Sequence, residues 1–548
     1  MFVGDITRIK LGDSSFESVI TNGVLYVDKS MFIEHFLKEE PYVQLIARQR
    51  RLGKSLNMDM LRCFLTDQTD YRPLFEHLQI HNSEVWGRAN SAPVFHFDFK
   101  HLDNNDYKNQ IFGMVKDYTL KYVNDSKCPQ VYVEAYNELA AGKRSEVDSL
   151  LLLTAIAYTV TGKKSYILID EYDEMLMKNM HNERYHEMRD FITLLFSSAL
   201  KGNKFLEKAL LTGVTRISYE GMLSGLNNLQ TYDVFRDSVY AEDYGLTEVE
   251  VTELSAARYF DIDEARRWYN GVKIGGRAIY NMYSVMSMLH FKTFDCYWGA
   301  SGSMGAIVSI MSASRKRAII GLLDEGAVKN VILEEKISPV QLMAGNSDSM
   351  FYSFLVQTGY LSLEEKNQTA GKVAIPNLEL QDVWKRFLLS NFFSLTGNMD
   401  SLFIHLEDPE GLAAAVETYL SNTLDALSYH DLPRFKGADG KRRVPENNYH
   451  ILLYAILTAG KDLFQYEAIR SNRESGDGRY DIMVEFADRA VIFEIKSAAD
   501  DEDMDEIAQA ALRQIKNMRY GADLNKPIMG VGCAFRKKTC AVVADEIV

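Results

Sequence analysis

Two groups of residues have the types and spacing that chemistry on phosphates requires. The first begins at Arg48-Gln-Arg-Arg-Leu-Gly53-Lys54-Ser55, which follows the apolar run VQLIA (43–47) and opens a helical pattern. A strand, a tight loop and a helix N-terminus present backbone N–H groups and a favourable dipole to an anion. In such a loop Lys54 would reach the β- and γ-phosphates of ATP, and the Ser55 hydroxyl would ligate Mg²⁺. The usual leading glycine of GxxxxGK[ST] is Arg48 here. Arg48, Arg50 and Arg51 read either as charge added to the phosphate cradle or as ordinary solvated cations. Downstream, Tyr166-Ile-Leu-Ile169-Asp170-Glu171 is a buried-strand pattern ending in two acids. Asp170 is placed to hold Mg²⁺ through water, and Glu171 to polarise the attacking water. An acidic strand end is common by itself; after a strand–GKS–helix unit it completes a nucleotide site. A later strand, KALLTGV (208–214), carries Thr212, a candidate γ-phosphate sensor. Arg216 follows it, as a sensor or arginine finger, or as a plain surface arginine.

The second group lies near the other end of the chain. Glu494 and Lys496 are two apart on the apolar strand AVIFEIK (490–496), so they share one face while Ile495 points to the core. Asp481 starts the neighbouring strand, where a hairpin brings it beside Glu494. Two carboxylates and a lysine converging on one face suit a Mg²⁺ site in which the metal activates water and Lys496 stabilises developing charge. Unpaired charges on such a strand are costly, which argues against a merely solvated face. Glu446 opens an apolar helix with Tyr449 and His450 and is a candidate additional acid. Gln514 and Tyr520 close the helix after the strand. The acidic run 499–506 opens that helix, where negative charge suits the dipole. Arg536, Lys537 and Lys538 read either as phosphate contacts or as an exposed turn.

The elements that must position these residues follow from periodicity. VQLIA, PVFHFDF (93–99), SYILID (165–170) and KALLTGV predict strands, the first, third and fourth covered on both faces. Leu56–Leu65, Asp106–Tyr122, Ser149–Tyr158 and Arg184–Leu200 predict helices between them. The expected fold class is α/β: a P-loop parallel sheet over 1–246, a helical lid and connector over 247–400, and a small α/β domain over 401–548.

The segments YVDKS (26–30), RQRRLGKSLN (48–57), LIDEYD (168–173), LTGVTRIS (211–218) and SGLNNL (224–229) resemble the bacterial AAA-ATPase-like family. The resemblance implies that the RxRRxGKS form, Arg48 included, is that family's own phosphate loop, and that the ATPase is paired with a PD-(D/E)XK nuclease-type domain. The order of a helical Glu, Asp481, the ExK pair and a later Gln/Tyr is similar to that domain, as is SNRESGDGRYD (471–481). Asp28 and Lys29 are left as an adenine-side contact or a capping pair.

Composition sets the limits. The 548 residues, 47% apolar and 25% charged, fit two to four ordinary globular domains. Five cysteines without CxxC spacing read as reduced core thiols, not a zinc site. No signal peptide and no apolar run of about 18 residues are found, so no membrane contact and a cytoplasmic location are expected. The net charge of −15 excludes a protein that coats nucleic acid over its whole surface, while leaving local patches open. The expectation is an ATP-hydrolysing protein with a Mg²⁺-dependent nuclease domain acting on nucleic acid, assembling as an ATP-dependent homo-oligomer. The alternative is an ATP-dependent signalling or defence switch whose nuclease-like domain only binds. A purely structural nucleotide-binding protein is disfavoured because both sites are complete.

Overall fold

The computed structural model describes residues 2–216, 228–236, 239–299, 305–345, 347–367, 370–392, 402–403, 405–426, 435–436, 440–459, 466–471, 474–475, 478–521 and 524–547. Residues 217–218 and 224–227 of the segments quoted above lie outside them, as do Asn472, Arg473, Gly476 and Asp477. The chain separates into two compact units, Met1–Ile310 with Ala327–Leu380, and Met311–Gly326 with Gln381–Val548.

The first unit is built on a five-stranded parallel sheet of β1 (Val43–Ala47), β2 (Val94–Asp98), β3 (Ser165–Asp170), β4 (Leu206–Gly213) and β5 (Leu229–Tyr232), in the order β2-β3-β4-β1-β5. Every residue of β1 and β3 is buried, as their near-continuous apolar runs require of strands covered on both faces. The helices α1 (Lys54–Leu65), α2 (Tyr107–Val123), α3 (Ser149–Thr161) and α4 (Tyr185–Leu200) fall within a few residues of their predicted spans. Leu153, Ile156, Ile192, Leu195 and Phe196 close the main core against Ile167, Ile169 and Leu211 of the sheet. The order matters for chemistry. Strand β4 sits between β1 and β3, so Thr212 is carried in register with Ile46, one strand from the carboxyl end of β3.

The segment 247–400, expected as a helical lid and connector, is shared between the two units and is not all helical. Leu246–Thr247, Val272–Ile274 and Arg277–Tyr280 form one three-stranded antiparallel sheet. Ala327–Ile332, Ser362–Lys366 and Ala370–Ala374 form another. Their short, charge-bearing strands, such as SLEEK, carry too little period-two alternation to announce a sheet. Helix α5 (Met282–Phe291) follows the first sheet, its N-terminus capped by Asn281, whose side chain accepts from Ser284 N at 3.1 Å.

In the second unit, α6 (Glu446–Ala459) precedes a five-stranded sheet of β6 (Ala468–Ser471), β7 (Ile482–Glu485), β8 (Ala490–Ser497), β9 (Ile528–Arg536) and β10 (Thr539–Ile547), paired in that order. Only β8 and β9 are parallel, and helix α7 (Met504–Asn517) supplies the crossover between them. Ile482 pairs with Phe493, which places Asp481 opposite Glu494 at the next step of the hairpin.

Helix α7 lies close over β9. A Cβ on Gly532 would fall 2.3 Å from the Ala508 carbonyl oxygen and 2.7 Å from the Leu512 amide nitrogen, backbone atoms that cannot rotate aside. Gly532→Ala is expected to destabilise the second unit by about 1–3 kcal/mol through overpacking, read from urea unfolding. An unchanged midpoint at unchanged slope would rule out that seating.

Candidate functional site

In the first unit the chemistry gathers around Asp170. Ser55 Oγ donates to Asp170 Oδ2 at 2.5 Å, the Thr212 hydroxyl donates to Oδ1, and the Glu171 amide donates to Oδ1 at 3.0 Å. A carboxylate that is 2% exposed needs such donors, because desolvation without them is costly. Lys54 is also buried. Its Nζ donates to the carbonyl oxygens of Arg48 and Gln49 at 3.1 and 3.2 Å, and stands 3.7 Å from Glu171 Oε1. Gly53, at φ 88°, makes the left-handed turn into α1, and Arg51, at φ 70°, shares the loop's unusual backbone. Glu171 is itself left-handed at φ 53°. A non-glycine residue held there stores strain of the kind found at functional sites. Its Oε2 is buried and has no hydrogen-bond partner among the described residues.

A cleft of 340 Å³ opens over this cluster. Arg50, Arg51, Gly53, Lys54, Ser55 and Glu171 line it, together with Lys100 and Glu174. Its apolar lining comes from Leu11, Val24, Leu25 and Val27 and from Met282 and Met286 of α5. Helix α5 is docked on the loop itself. Tyr283 N donates to Arg51 O at 3.4 Å, and the Arg51 guanidinium lies 4.1 Å from the Tyr283 ring centre. Arg50 sits 3.7 Å from Glu174.

Two residues expected at the nucleotide are placed elsewhere. Arg48 is fully buried with its guanidinium turned beneath the loop, donating to Ala47 O and Tyr232 O and lying 5.4 Å from the Tyr244 ring centre. It holds the loop from below and does not line the cleft. Arg216 is 3.5 Å from both Asp233 and Glu335, and lines the cleft no more than Arg48 does. The acids draw it to a structural ion pair. Asp28 accepts from Ser30 N and Gln79 N, and Lys29 pairs with Glu250 at 2.8 Å, so the two tie this segment to distant parts of the first unit.

Asp173, not singled out by the sequence, clamps the end of β4. It accepts from Val214 N, Thr215 N and the Thr215 hydroxyl, and burial, with the nearby Glu171 charge, pushes it up to about 6. The approach is tight enough that a Cβ on Gly213 would lie 2.4 Å from Asp173 Oδ1. Glu379 is buried farther along the chain and accepts from the Ser284 hydroxyl of α5 at 2.9 Å and from Tyr297 N and Trp298 N at 2.8 Å. Burial outweighs these donors and pushes it up to about 7.

The second unit assembles its group as the hairpin requires. Asp481 Oδ2 accepts from Ile495 N at 2.7 Å. Glu494 Oε1 accepts from Lys496 Nζ at 3.0 Å and from the Gln514 amide, while Gln514 also reaches the Tyr520 hydroxyl at 3.3 Å. Glu446 Oε1 accepts from Ser497 N at 3.2 Å, at the residue after Lys496. Burial, reinforced by Asp481, pushes Glu494 up to about 7; burial likewise raises Asp481. Glu494 Oε2 is buried without a partner among the described residues. His450, noted in the sequence only as a neighbour of Glu446, places Nε2 3.1 Å from the Asp481 carbonyl oxygen and 3.0 Å from Ser471 Oγ. Arg536 donates to the Asp500 and Glu502 carbonyls, and Lys537 pairs with Asp500 at 2.9 Å, so this basic turn is joined to the acidic run. Asp503 of that run caps α7 by accepting from Asp505 N and Glu506 N.

Residues 10–223 match the model of the AAA-ATPase-like family, described as a predicted AAA-ATPase. Residues 444–545 match that of the PD-(D/E)XK nuclease superfamily. Over 541 residues the chain is 25% identical to an uncharacterized protein in the vnfD 5′ region of Azotobacter chroococcum mcd 1, with 94% of each covered. A Walker-type ATPase of Pyrococcus abyssi aligns with a TM-score of 0.36 at 12% identity, covering 70% of this chain and 100% of that one. No helix among the described residues is long and apolar enough to cross a membrane.

Glu379 gives a pH prediction. Folded, it releases its proton near 7; unfolded, near 4.5. Between these values the folded chain binds more protons, so stability falls as pH rises through the window, by about 3 kcal/mol for this group. Glu379→Gln is expected to remove that part of the slope, measured as the difference from wild type in unfolding free energy at pH 5 and pH 8. Parallel pH profiles would refute the assignment.

Proposed function

We propose that this chain, an AAA-ATPase-like domain joined to a domain of the PD-(D/E)XK nuclease superfamily, hydrolyses ATP in its first unit and cleaves phosphodiester bonds of nucleic acid in its second, with the ATP state regulating cleavage. One observation carries the reading and recurs in both units. The glutamate placed to act on water or metal, Glu171 or Glu494, has one oxygen engaged and the other buried without a partner among the described residues. A buried acceptor left unfilled costs about 1–3 kcal/mol, and a water or a metal-bound ligand would fill it.

The residues present fit Mg²⁺. Among the described residues no group of three or more His, Cys, Asp or Glu side chains is arranged for a metal. Mg²⁺ is commonly held by one or two carboxylates, with waters and substrate phosphates completing the shell. Ser55 with Asp170, and Asp481 with Glu494, are such donor sets. When bound, the ion would neutralise phosphate charge and acidify its water.

The side chains do the rest. Lys54 would exchange the loop carbonyls for β- and γ-phosphate oxygens, with Arg50 and Arg51 adding positive charge at the cleft. Thr212 holds Asp170 in position, and Glu171 accepts the proton of the attacking water. Met282, Met286 and Val27 offer the apolar surface a nucleobase needs. In the second unit Lys496 stabilises charge developing on the phosphodiester, Gln514 orients Glu494, and Glu446 and His450 keep strand β8 and Asp481 in place. A competing reading, a nucleotide-governed switch whose second unit only binds nucleic acid or a partner, draws on the ion pair that already neutralises Glu494.

Lys54→Ala is expected to weaken ATP binding by at least tenfold, and Glu171→Gln to keep binding while slowing phosphate release by about 10²–10⁴-fold. Asp481→Ala or Glu494→Ala is expected to abolish Mg²⁺-dependent cleavage of DNA or RNA with ATP hydrolysis intact; Lys496→Ala should do the same while sparing metal affinity. A wild-type protein that cuts neither nucleic acid with ATP and Mg²⁺ present leaves only the binding reading. ATP-dependent self-association belongs to the same proposal. Sedimentation of Glu171→Gln should show a larger species with ATP than without; a monomer in both removes assembly as the route of regulation.

A further inference from the structure

A second cavity, of 250 Å³, lies in the first unit on the other side of Glu171. It shares Arg50, Glu171 and Glu174 with the nucleotide cleft, but its remaining walls are its own. Trp298 and Tyr360 form an aromatic corner, with ring centres 4.7 Å apart and planes at 70°. Phe354, Ile307 and Val214 continue the apolar lining. The volume is a little below that of drug-sized ligand sites, which run from about 300 Å³ upward, and suits a smaller molecule.

The charges facing this space leave one acceptor unmet among the described residues. Three carboxylates, Glu171, Asp173 and Glu174, meet two fixed cations, Arg50 and Lys178. Glu174 is taken up by both cations, at 3.7 Å from Arg50 and 2.5 Å from Lys178. Asp173 is taken up by the Val214 and Thr215 amides and the Thr215 hydroxyl. Glu171 is left with Lys54 at 3.7 Å on one oxygen and an unpartnered second oxygen. With Lys54 counted the charges balance, and what stays unmet is that second oxygen, on the residue that lines both cavities. An anion offers that acceptor oxygen no donor, and a neutral apolar molecule would fill the walls while leaving it unanswered. An aromatic corner beside a carboxylate is the surface that attracts an organic cation.

We propose that this cavity binds an organic monocation, an amidinium, guanidinium or ammonium group on an apolar body, with the body against Trp298, Tyr360 and Phe354 and the charge on Glu171. Binding stands on the cavity alone. Its consequence for hydrolysis rests on the ATPase reading above: an occupied Glu171 is withdrawn from the attacking water, so the cation inhibits turnover without displacing nucleotide.

Calorimetry on the full chain with benzamidine and its neutral isostere benzamide tests the site. Benzamidine is expected to bind at least tenfold tighter than benzamide. Lys54→Ala, which removes the cation opposing Glu171, should keep or raise that affinity, and Glu171→Gln should lower it toward that of benzamide. Ala306→Trp, at a half-buried wall position outside the catalytic group, should fill the cavity, reduce benzamidine binding at least tenfold and leave basal ATP hydrolysis unchanged. Trp298→Ala should weaken binding as well; should that buried substitution fail to fold, Ala306→Trp alone decides. Equal affinities for the two probes, no binding at millimolar concentration, or undiminished binding to Ala306→Trp would overturn the site. Binding as expected with hydrolysis unaffected by benzamidine would keep the site and overturn its link to Glu171 chemistry. A protein without ATPase activity would remove the hydrolysis arm and leave the calorimetric arm to stand.

Discussion

A carboxylate at the end of a fully buried strand can keep its charge only if the protein supplies the donors that water would. Asp170 is in that position, and the architecture of the first unit answers to it. One oxygen takes the hydroxyl of Ser55, at the start of α1, and the other takes the hydroxyl of Thr212, on the strand between. This fixes the distance between the phosphate loop and the acid strand, because β4 lies between β1 and β3. Asp173 repeats the device three residues later, binding the end of β4 through Val214 and Thr215. Two acids thus join three parallel strands at the edge where ligands of open α/β sheets are bound.

The second unit meets the same constraint with a different solution. Burial raises the cost of ionising Asp481 and Glu494, and for Glu494 the neighbouring Asp481 across the hairpin adds to it. Lys496 and Gln514 answer one oxygen of Glu494, and Ile495 N answers one of Asp481. The first site balances Asp170 with neutral hydroxyls and keeps its lysine on backbone carbonyls. The second balances its acid with a lysine two residues along the same strand. In both, one glutamate oxygen is left without a partner among the described residues.

What the sequence made legible was what short-range pattern determines. Strands with continuous apolar runs and helices with clear periodicity, such as SYILID and Arg184–Leu200, were read within a few residues of β3 and α4. The acids at the strand ends, and the pairing of Asp481 with Glu494, followed from alternation and hairpin geometry. Side-chain direction in an irregular loop did not. Arg48, Arg50 and Arg51 are near neighbours in sequence, yet one is buried under the loop, one faces an acid and one stacks on Tyr283. The partners of Arg216 were illegible for a related reason: Glu335, which lies beside it, is 119 residues away. The walls formed by Met282, Tyr283 and Trp298 depend on Glu379, which pins α5 and the 297–298 backbone across a separation of more than 80 residues. No local pattern encodes such a contact. By contrast, Asp173 and Glu174 lay in plain view in the DEYDE run, three and four residues past Asp170, and their spacing was a usable signal.

Glu171 stands where these constraints meet. It is held at a positive φ, the next residue after the acid that anchors the sheet, with its amide on Asp170 and its side chain between two cavities. A relaxed backbone at that position would point the side chain along a different direction, and the strain is sustained because Asp170, Tyr172 and Asp173 are all fixed around it. Tyr172 N bonds Thr212 O at 3.0 Å, the Tyr172 hydroxyl bonds Thr215 O at 2.7 Å, and Asp173 binds Thr215. The cost of one unfavourable dihedral, of order 1–3 kcal/mol, is therefore offset by hydrogen bonds on both sides of it. The same bonds leave Glu171 little freedom except at its carboxylate. A rigid backbone carrying a carboxylate whose second oxygen has no partner among the described residues leaves that oxygen as the one place in the segment where a new contact can form.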